Sequence, residues 1–267
     1  MPQILYYTFF QHAILGALLV SLLCAMVGTY VVNRRMVIAG GGVAHASLGG
    51  VGLGAFFGLS PLFCAAGFAL LSGLGIHELS RRKVREDAAI AMLWTLGMSV
   101  GILAAYLTPG FMTELPLYLF GDILAITATD LWISGGLLLF TAAFFYLFLP
   151  AIITVSYDTD FAVTQGLPVA VIERVMIGLT ALTIVACLHL VGVVMVVSLL
   201  SIPQMTAALF TNSFRKMIGW SALISFLECL GGLMLSYYCN VPSGATIILL
   251  AVMLYFVLRT IKTLFFR

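Results

Sequence analysis

The stretch "AGGGVAHASLGGVGLGAFFGL", from Ala39 to Leu59, decides what kind of fold this chain can adopt. It is apolar enough to be buried in lipid, although more than a third of its residues are glycine and it carries one histidine, His45. Glycine is a poor helix former, and a histidine in hydrocarbon is costly. Both must therefore serve a purpose there, either close helix packing or chemistry.

The composition of the whole chain agrees with a lipid setting. Of its 267 residues, 63% are hydrophobic and 8% are charged, whereas a soluble domain carries about 25% charged residues. Such a chain cannot cover itself with a polar surface, so most of it must face the lipid bilayer. The net charge of +2 says nothing about nucleic acid, but no basic cluster is interleaved with exposed aromatic residues, so no nucleic-acid partner is predicted. The five cysteines form no C-x-x-C pair, so we interpret them as small apolar residues.

Nine apolar stretches separated by short polar breaks predict an all-α, polytopic integral membrane protein. A helical span needs about 20 residues. The stretches are 10–32, 37–59, 62–79, 88–107, 131–155, 175–190, 191–210, 217–238 and 244–261. The sixth and seventh are crowded around Gly192, so eight spans with one irregular segment remain an alternative. A further apolar run, 115–126, is too short to span and is expected at the interface or folded back. No cleavage site follows the first stretch, so we expect it to be a permanent span.

The basic residues predict the orientation of these spans. They are Arg34, Arg35, Arg81, Arg82, Lys83, Arg85, Arg174, Arg215, Lys216, Arg259, Lys262 and Arg267. With nine spans and the N-terminus outside, all of them and the C-terminus fall on the cytoplasmic side. The outer connections then hold only acidic residues, Glu114, Asp122 and Asp130, as the positive-inside rule requires. We therefore predict a multi-pass protein of the bacterial inner membrane.

Small residues repeat at a spacing of four along the second span. They are Gly42, Ala46, Gly50, Gly54 and Gly58. In lipid, such a stripe lets two helices approach backbone to backbone, so helix packing is the first interpretation. His45 lies off the stripe, on a row with Gly41 and Gly49 that is expected to leave open space around the imidazole.

A histidine inside a membrane span is a functional hypothesis by default, although a carbonyl of a neighbouring helix could also satisfy it. His12, His77 and His189 rank below His45 because they lie near the ends of spans. Glu228 is the one carboxylate well inside a span, so it could supply a second intramembrane group; an interhelical hydrogen bond would explain it as well. A single carboxylate makes ion-coupled secondary transport a distant alternative.

Missing motifs exclude several kinds of chemistry. There is no G-x-x-x-x-G-K-[ST], so this chain does not hydrolyse ATP by a P-loop. "HELSR" begins like the metalloprotease motif H-E-x-x-H, but Arg81 stands where the second histidine must be. No Ser/His/Asp set lies at a plausible depth, so we predict no catalytic residues and no permanently bound cofactor.

The cytoplasmic segment 157–168, "YDTDFAVTQGLP", is far more polar than the rest of the chain. Asp158 or Asp160 can cap a short helix there, Gly166 marks its end, and Pro168 lies just beyond. A short helix on the cytoplasmic face needs a reason, and docking to a peripheral partner would supply one.

With these residues in view, the chain resembles the permeases of ATP-driven importers for zinc, manganese and iron, the ZnuB-like group. The resemblance is carried by "VVNRRMVIAGGGVAHASLGGVGLG", "LPLYLFGDILAIT", "YDTDFAVTQGLPV", "LVGVVMVVSLLSIPQMTAALF" and "VPSGATIILLAV", in that order. It implies a single permease domain, 1–267, that works by alternating access while a separate ATP-binding cassette ATPase subunit hydrolyses ATP. It also implies a homodimer of permeases and an extracytoplasmic metal-binding protein. Ala162 and Gly166, beside Asp158 and Asp160, look like the A-x-x-x-G coupling signature that seats on the ATPase.

One position departs from the family pattern. The family usually reads G-D-x-x-[SA]-H, and both its aspartate and its histidine are taken to contact the ion; here Gly41 occupies the aspartate position and His45 is kept. Residues four apart on a helix have Cβ atoms about 5–6 Å apart, so an aspartate there could share one cation with the imidazole. The resemblance implies a divalent transition metal as substrate, with a metal chelate or cofactor-like ligand as the alternative.

Overall fold

The computed structural model describes residues 7–110, 118–119, 121 and 123–265. Within this part the helices are α1 (Thr8–Asn33), α2 (Val37–Phe57), α3 (Pro61–Arg81), α4 (Glu86–Leu107), α5 (Ala128–Tyr157), α6 (Thr159–Thr164), α7 (Val169–Val191), α8 (Val193–Leu199), α9 (Ile202–Ala207), α10 (Phe214–Cys239) and α11 (Ser243–Phe265). A short 3-10 turn, Ile123–Ala125, precedes α5. No strand occurs in the part described, so the all-α prediction is confirmed.

Eight of these helices are long and apolar enough to cross a membrane, namely α1, α2, α3, α4, α5, α7, α10 and α11. The seventh predicted span, 191–210, is not one continuous helix, contrary to the prediction of nine continuous spans. It forms the two short helices α8 and α9 instead. The described residues therefore contain eight long apolar helices and one irregular segment.

The break between α8 and α9 has a chemical cause at Pro203. Proline has no backbone N–H, so the Leu199 carbonyl lacks the donor that a continuous helix would supply four residues later. The buried Gln204 side chain replaces that donor: its Nε2 donates to Leu199 O at 3.0 Å and to Cys24 O, on α1, at 2.7 Å. A Cβ on Gly28 would lie only 2.6 Å from the same Nε2. The broken segment is thus fastened to α1, and a glycine there makes the room.

The irregular segment nevertheless runs the length of the bundle. It begins at Gly192, directly after α7, whose His189 pairs with Asp130 near the start of α5. It ends near Asn212, whose carbonyl accepts from the hydroxyl of Tyr157 at the end of α5. Because α5 is one continuous helix between these two levels, residues 192–212 pass from one end of the bundle to the other.

The centre of the bundle consists of α1, α2 and α7. In these three helices 67%, 72% and 61% of the most apolar stretch of 18 residues is buried inside the protein. In the other five long helices the buried share is only 17% to 33%. The outer helices expose large apolar side chains, among them Trp132, Leu139 and Tyr146. A helix that is apolar all round belongs in lipid or in a buried core, so this distribution is that of a membrane bundle.

One half of the small-residue stripe on α2 packs against the backbone of α3. A Cβ on Gly50 would lie 2.6 Å from the Cα of Ala65, and a Cβ on Gly54 would lie 2.8 Å from the Cα of Pro61. Both distances are far shorter than any real carbon contact, so only glycine permits this approach. The two helices meet backbone to backbone at these positions, as lipid-embedded helices do at small residues.

The other half of the stripe packs against α4. A Cβ on Gly42 would lie 2.6 Å from a methyl carbon of Ile90, and a Cβ on Gly97 of α4 would lie 2.5 Å from the Cα of Ala46. A four-residue step advances about 400° around a helix, so the stripe drifts by about 40° per step. This drift turns the stripe from α4 at Ala46 towards α3 at Gly50.

Gly58 does not belong to the packing stripe, contrary to the prediction. It follows α2 in the left-handed conformation, with φ of 65°, and nothing in the described structure lies within 4 Å of a Cβ built on it. L-residues rarely adopt that conformation, so the end of the helix, and not a neighbouring helix, requires glycine here.

The predicted interfacial run 115–126 is described only at 118–119, 121 and 123–126. Glu114 and Asp122 lie outside the described residues. Ile126 packs against Gly16 of α1, and His12 Nδ1 lies 3.2 Å from the carbonyl oxygen of Ile126. The described end of the run therefore folds back onto the bundle, one of the two arrangements expected for it.

Candidate metal path and cytoplasmic helix

His45 lies in α2 with its ring half-buried and stacked on the indole of Trp94, from α4. The ring centroids are 4.6 Å apart and the planes differ by 10°. Its Nδ1 is buried and has no hydrogen-bond partner among the described residues, which is uncommon for a buried polar atom. Neutral imidazole is the commonest metal ligand in proteins. No carbonyl of the described chain therefore accepts from this nitrogen or occupies its place.

The surroundings of His45 are more crowded than the sequence suggests. A Cβ on Gly41, one turn earlier, would lie 3.9 Å from two methyl carbons of Val197 in α8, which is an ordinary contact. A Cβ on Gly49, one turn later, would lie 2.8 Å from the carbonyl oxygen of Gly97. The open space expected beside Gly49 is therefore absent, because α4 packs there; at Gly41 a Cβ can be added without a clash.

Glu228 lies in α10 and is fully buried. Neither of its carboxyl oxygens has a hydrogen-bond partner in the described part of the chain. Its helix packs mainly on α1, α9 and α11, whereas α2 packs mainly on α3 and α4. No group of three His, Cys, Asp or Glu side chains among the described residues converges to hold a metal ion. His45 and Glu228 are therefore not two members of a three-ligand site within the described structure.

A close contact between a histidine and a carboxylate joins α5 and α7 where α5 begins. His189 Nδ1 lies 2.9 Å from Asp130 Oδ1, and Asp130 Oδ2 accepts from the hydroxyl of Thr127 at 2.6 Å. Thr127 and Asp130 also form the capping box of α5. His189 thus contacts a carboxylate that also caps a helix.

A cavity of about 240 Å³ lies between α1, α2, α3 and α7. Its polar lining includes Arg34, His77, Ser80, Glu86 and Glu173. His77 Nε2 and Ser80 Oγ are buried without a hydrogen-bond partner among the described residues. His45 does not line this cavity, so the space lies apart from the histidine of α2.

The short polar helix predicted within 157–168 is α6. Its N-cap Asp158 accepts a hydrogen bond from the Phe161 N–H at 2.9 Å. At the other end Gly166 adopts a φ of 71°, and the Leu167 N–H donates to the Ala162 carbonyl at 3.1 Å. This is the Schellman arrangement, which needs a left-handed residue four positions after the one whose carbonyl accepts. The A-x-x-x-G spacing is therefore accounted for by the turn that ends the helix.

The face that α6 presents outwards differs from the expectation. Ala162, predicted to seat on a partner, is fully buried in a cluster with apolar residues of α5 and α7. The exposed side chains of α6 include Phe161 and Val163, which are 52% and 60% exposed, together with the polar Asp160 and Thr164. A methyl side chain at Ala162 lets α6 lie close to its own bundle, whereas Phe161 and Val163 lie on the two flanks of the helix, about 100° from Ala162 on either side.

Arg34, which the sequence marks only as a basic charge, connects three elements of the structure. Its Nη1 donates to Thr159 Oγ1, at the start of α6, at 2.6 Å, and its Nη2 pairs with Glu173 Oε1 of α7 at 2.5 Å. These partners are 125 and 139 positions away along the chain. No local motif signals such contacts, and only the paired arginines at the end of the first span could have drawn attention to them.

Comparisons with known proteins place the chain among transport permeases. A family model described as the ABC 3 transport family matches residues 6–262. The manganese transport system membrane protein MntC of Halalkalibacterium halodurans is 33% identical over 250 residues, 93% of this chain and 86% of that protein. The high-affinity zinc uptake system membrane protein ZnuB of Haemophilus influenzae is 30% identical over 252 residues, 94% of this chain and 96% of that protein. A solved structure, PsaBC from Streptococcus pneumoniae in complex with Fab, matches with a TM-score of 0.88 at 27% identity, over 98% of this chain and 97% of that chain.

Proposed function

This chain belongs to the ABC 3 transport family, and on that premise we propose that it is the permease subunit of an ATP-driven importer for divalent transition metal ions. Zinc, manganese and iron are the candidate ions. Relatives named for manganese and zinc transport match it almost end to end. The observation that carries the proposal at residue level is the unpartnered Nδ1 of His45 inside α2. The protein is a multi-pass protein of the bacterial cell membrane, with eight apolar helices in its described part.

We infer nine membrane crossings, with the N-terminus outside and the C-terminus in the cytoplasm. The eight long helices supply eight crossings, and the irregular segment 192–212, which runs the length of the bundle, supplies the ninth. This count places every basic residue on the cytoplasmic side, in agreement with the positive-inside rule. Broken helices are tolerated in membranes where neighbouring groups satisfy the freed backbone, as Gln204 does for Leu199.

The importer requires further subunits because this chain carries no P-loop. We assign ATP hydrolysis to a separate ATP-binding cassette subunit and metal capture to an extracytoplasmic binding protein. Two permease copies, each a single domain over 1–267, form the membrane unit. Segment 157–168, with α6 at its centre, is the coupling helix. Metal ions are the transported substrate. They are contacted transiently by His45 of α2 and by Glu228 of α10.

We expect Phe161→Arg to detach the ATPase subunit while the permease still folds and inserts. Phe161 is 52% exposed on α6. Loss of an aromatic residue at the centre of an interface costs about 2 kcal/mol of binding free energy when that residue is a hot spot, which weakens the affinity more than tenfold. The measurement is co-purification of the ATPase subunit in detergent, together with ATP-dependent metal uptake. Phe210→Arg is the matched control, because Phe210 is 57% exposed and lies outside α6.

Ala162→Arg is expected to act differently from Phe161→Arg. Ala162 is fully buried, so an arginine there would displace α6 from its own bundle and lower the stability of the permease itself.

Normal ATPase binding and full uptake in Phe161→Arg would show that α6 is not the docking helix.

We expect Gly41→Asp to favour capture of Mn²⁺ over Zn²⁺ relative to the parent. A Cβ at this position makes only ordinary contact with Val197, so the variant should fold. A carboxylate beside His45 adds charge and an oxygen ligand, which suits the harder ion. A change of about tenfold in relative affinity is the size typical of substitutions beside a metal site. The measurement is metal-dependent ATPase activity across Mn²⁺ and Zn²⁺ concentrations, after folding has been checked.

Gly41→Ala is the control for this substitution, since it adds the same Cβ without the carboxylate. Release can slow as binding tightens, so turnover is recorded together with affinity. A folded Gly41→Asp variant that responds to both ions as the parent does would show that this face of α2 does not touch the substrate.

The decisive test of the proposed function is uptake into proteoliposomes that contain the permease and its ATPase subunit. Zn²⁺, Mn²⁺, Fe²⁺ and haem are compared, each with and without ATP. ATP-dependent uptake of one of the free ions supports the proposal. Uptake of haem alone would replace it with import of a metal chelate, and uptake driven by an ion gradient without ATP would overturn it.

A further inference from the structure

We propose that Arg34 is a positioning residue that carries movement of α6 into α1, α2 and α7, and so couples ATP hydrolysis to transport. The inference rests on the proposed docking of α6 to the ATPase subunit. It goes further by assigning the connection between that helix and the membrane helices to one side chain.

The backbone around Arg34 is held rigidly. Only residues 34–36 separate α1 from α2. Arg35 adopts a left-handed φ of 58°, and the Met36 N–H donates to the Val31 carbonyl at 2.8 Å, so the link is a closed turn. A force on the Arg34 side chain is therefore passed to the end of α1 and the beginning of α2.

The guanidinium of Arg34 binds three elements at once. Nη1 donates to Thr159 Oγ1 at 2.6 Å and to the Val155 carbonyl at 3.3 Å, while Nη2 pairs with Glu173 at 2.5 Å. These partners belong to α6, α5 and α7. Among the described residues, Arg34 thus joins the first residue of α6 directly to two of the long helices.

Partial burial makes these contacts stronger than an ordinary surface pair. The side chains of Arg34 and Glu173 are 25% and 15% exposed, so solvent and salt screen the pair less than they screen fully exposed charges. The planar fork of arginine can hold two partners in fixed directions, whereas the single ammonium of lysine is a point charge on a flexible stem. A lysine at position 34 would therefore keep the charge but hold the two partners poorly together.

The membrane helices have room to respond. Arg34 and Glu173 line the cavity of about 240 Å³ between α1, α2, α3 and α7, so these helices are not tightly packed against one another at this level. His45 lies eight residues after the start of α2, about 12 Å along its axis. A displacement at the beginning of α2 can thus reach the proposed metal ligand through one continuous helix.

The test is the ratio of metal ions taken up to ATP hydrolysed, measured in proteoliposomes with the ATPase subunit. We expect Arg34→Ala to retain ATPase co-purification and ATP hydrolysis while uptake per ATP falls about tenfold, within the range seen for residues that carry coupling. Arg34→Lys should fall less. A purely structural role would lower the amount of folded protein and leave the ratio unchanged.

Two matched controls isolate the contacts. Arg35→Ala removes the same charge from the neighbouring position, where the exposed side chain makes no ion pair within the described structure. Thr159→Val removes the hydroxyl that accepts from Arg34, whereas Thr154→Val removes one that donates only within α5, to Pro150 O. We expect a reduced ratio in Thr159→Val and parental ratios in both controls. If Arg34→Ala does not fold, Thr159→Val decides the question.

A parental ratio in folded Arg34→Ala, or in Thr159→Val when Arg34→Ala does not fold, would overturn the proposed link. Loss of ATPase binding by Phe161→Arg would show that α6 still docks in that case. If Phe161→Arg has no effect either, the docking role itself fails. The two failures are therefore distinguishable.

Discussion

Gly50→Leu is expected to leave no stable folded permease. A Cβ on Gly50 alone would lie 2.6 Å from the Cα of Ala65 and would also overlap the carbonyl of Cys64. These are backbone atoms, which cannot rotate away as a side chain could. Overpacking a core with extra methylenes commonly costs about 1–3 kcal/mol, and pushing α3 from α2 along its length should cost more. The measurement is the monodisperse fraction after detergent extraction, together with the thermal midpoint of unfolding.

Gly67→Ala is the matched control for this prediction. It also replaces a helical glycine, in α3, but nothing lies within 4 Å of a Cβ built there. Alanine has the higher helix propensity, so this variant should fold at least as well as the parent. If Gly50→Leu is equally stable and changes only which ion is transported, the stripe lines the transport path and does not hold α3.

His45→Phe is expected to abolish most metal transport while the protein stays folded. Phenylalanine keeps an aromatic ring to stack on Trp94 but removes both nitrogens, including the unpartnered Nδ1. Loss of a group beside a metal commonly costs about 10–100-fold in affinity or activity, and removal of the ligand itself should cost at least as much. The measurement is ATP-dependent uptake of Mn²⁺ and Zn²⁺ into proteoliposomes.

Trp94→Leu provides the reciprocal control for His45→Phe. It removes the stacking partner, worth about 0.5–1.5 kcal/mol, and leaves the imidazole in place. We expect a modest loss of stability and substantial remaining transport. Transport at the parental rate in folded His45→Phe would make His45 a packing residue and would leave Glu228 as the intramembrane group to test next.

The local sequence was sufficient for much of this protein. The proportions of apolar and charged residues indicated a membrane bundle, because a chain with so few charges cannot cover itself in water. The end of α6 was readable from Asp158 and Gly166, since a cap and a left-handed turn depend on residues within one helical turn. Glycines at a spacing of four indicated backbone contact for the same reason: the period of a helix is a local property.

The break at Pro203 shows where local patterns become insufficient. Residues 191–210 are apolar enough for a continuous span, and hydropathy takes no account of a missing N–H. The broken segment is completed by a hydrogen bond from the Gln204 side chain to the Cys24 carbonyl of α1, which is 180 positions away along the chain. A sequence pattern with a period of a few residues contains no information about such a pair.

Local patterns were enough to identify a helical membrane protein, to locate its long helices and to find His45 near the middle of one of them. The packing of distant helices was needed to see that Ala162 faces its own bundle, that Gly58 is a cap, and that Arg34 binds Thr159 and Glu173. The physical reason is the range of the forces involved. Hydrogen bonds along one helix join near neighbours in sequence, and the transfer of an apolar stretch into lipid depends on the composition of that stretch alone. The direction in which a side chain points, and what it meets there, depends on helices that are brought together from distant parts of the chain.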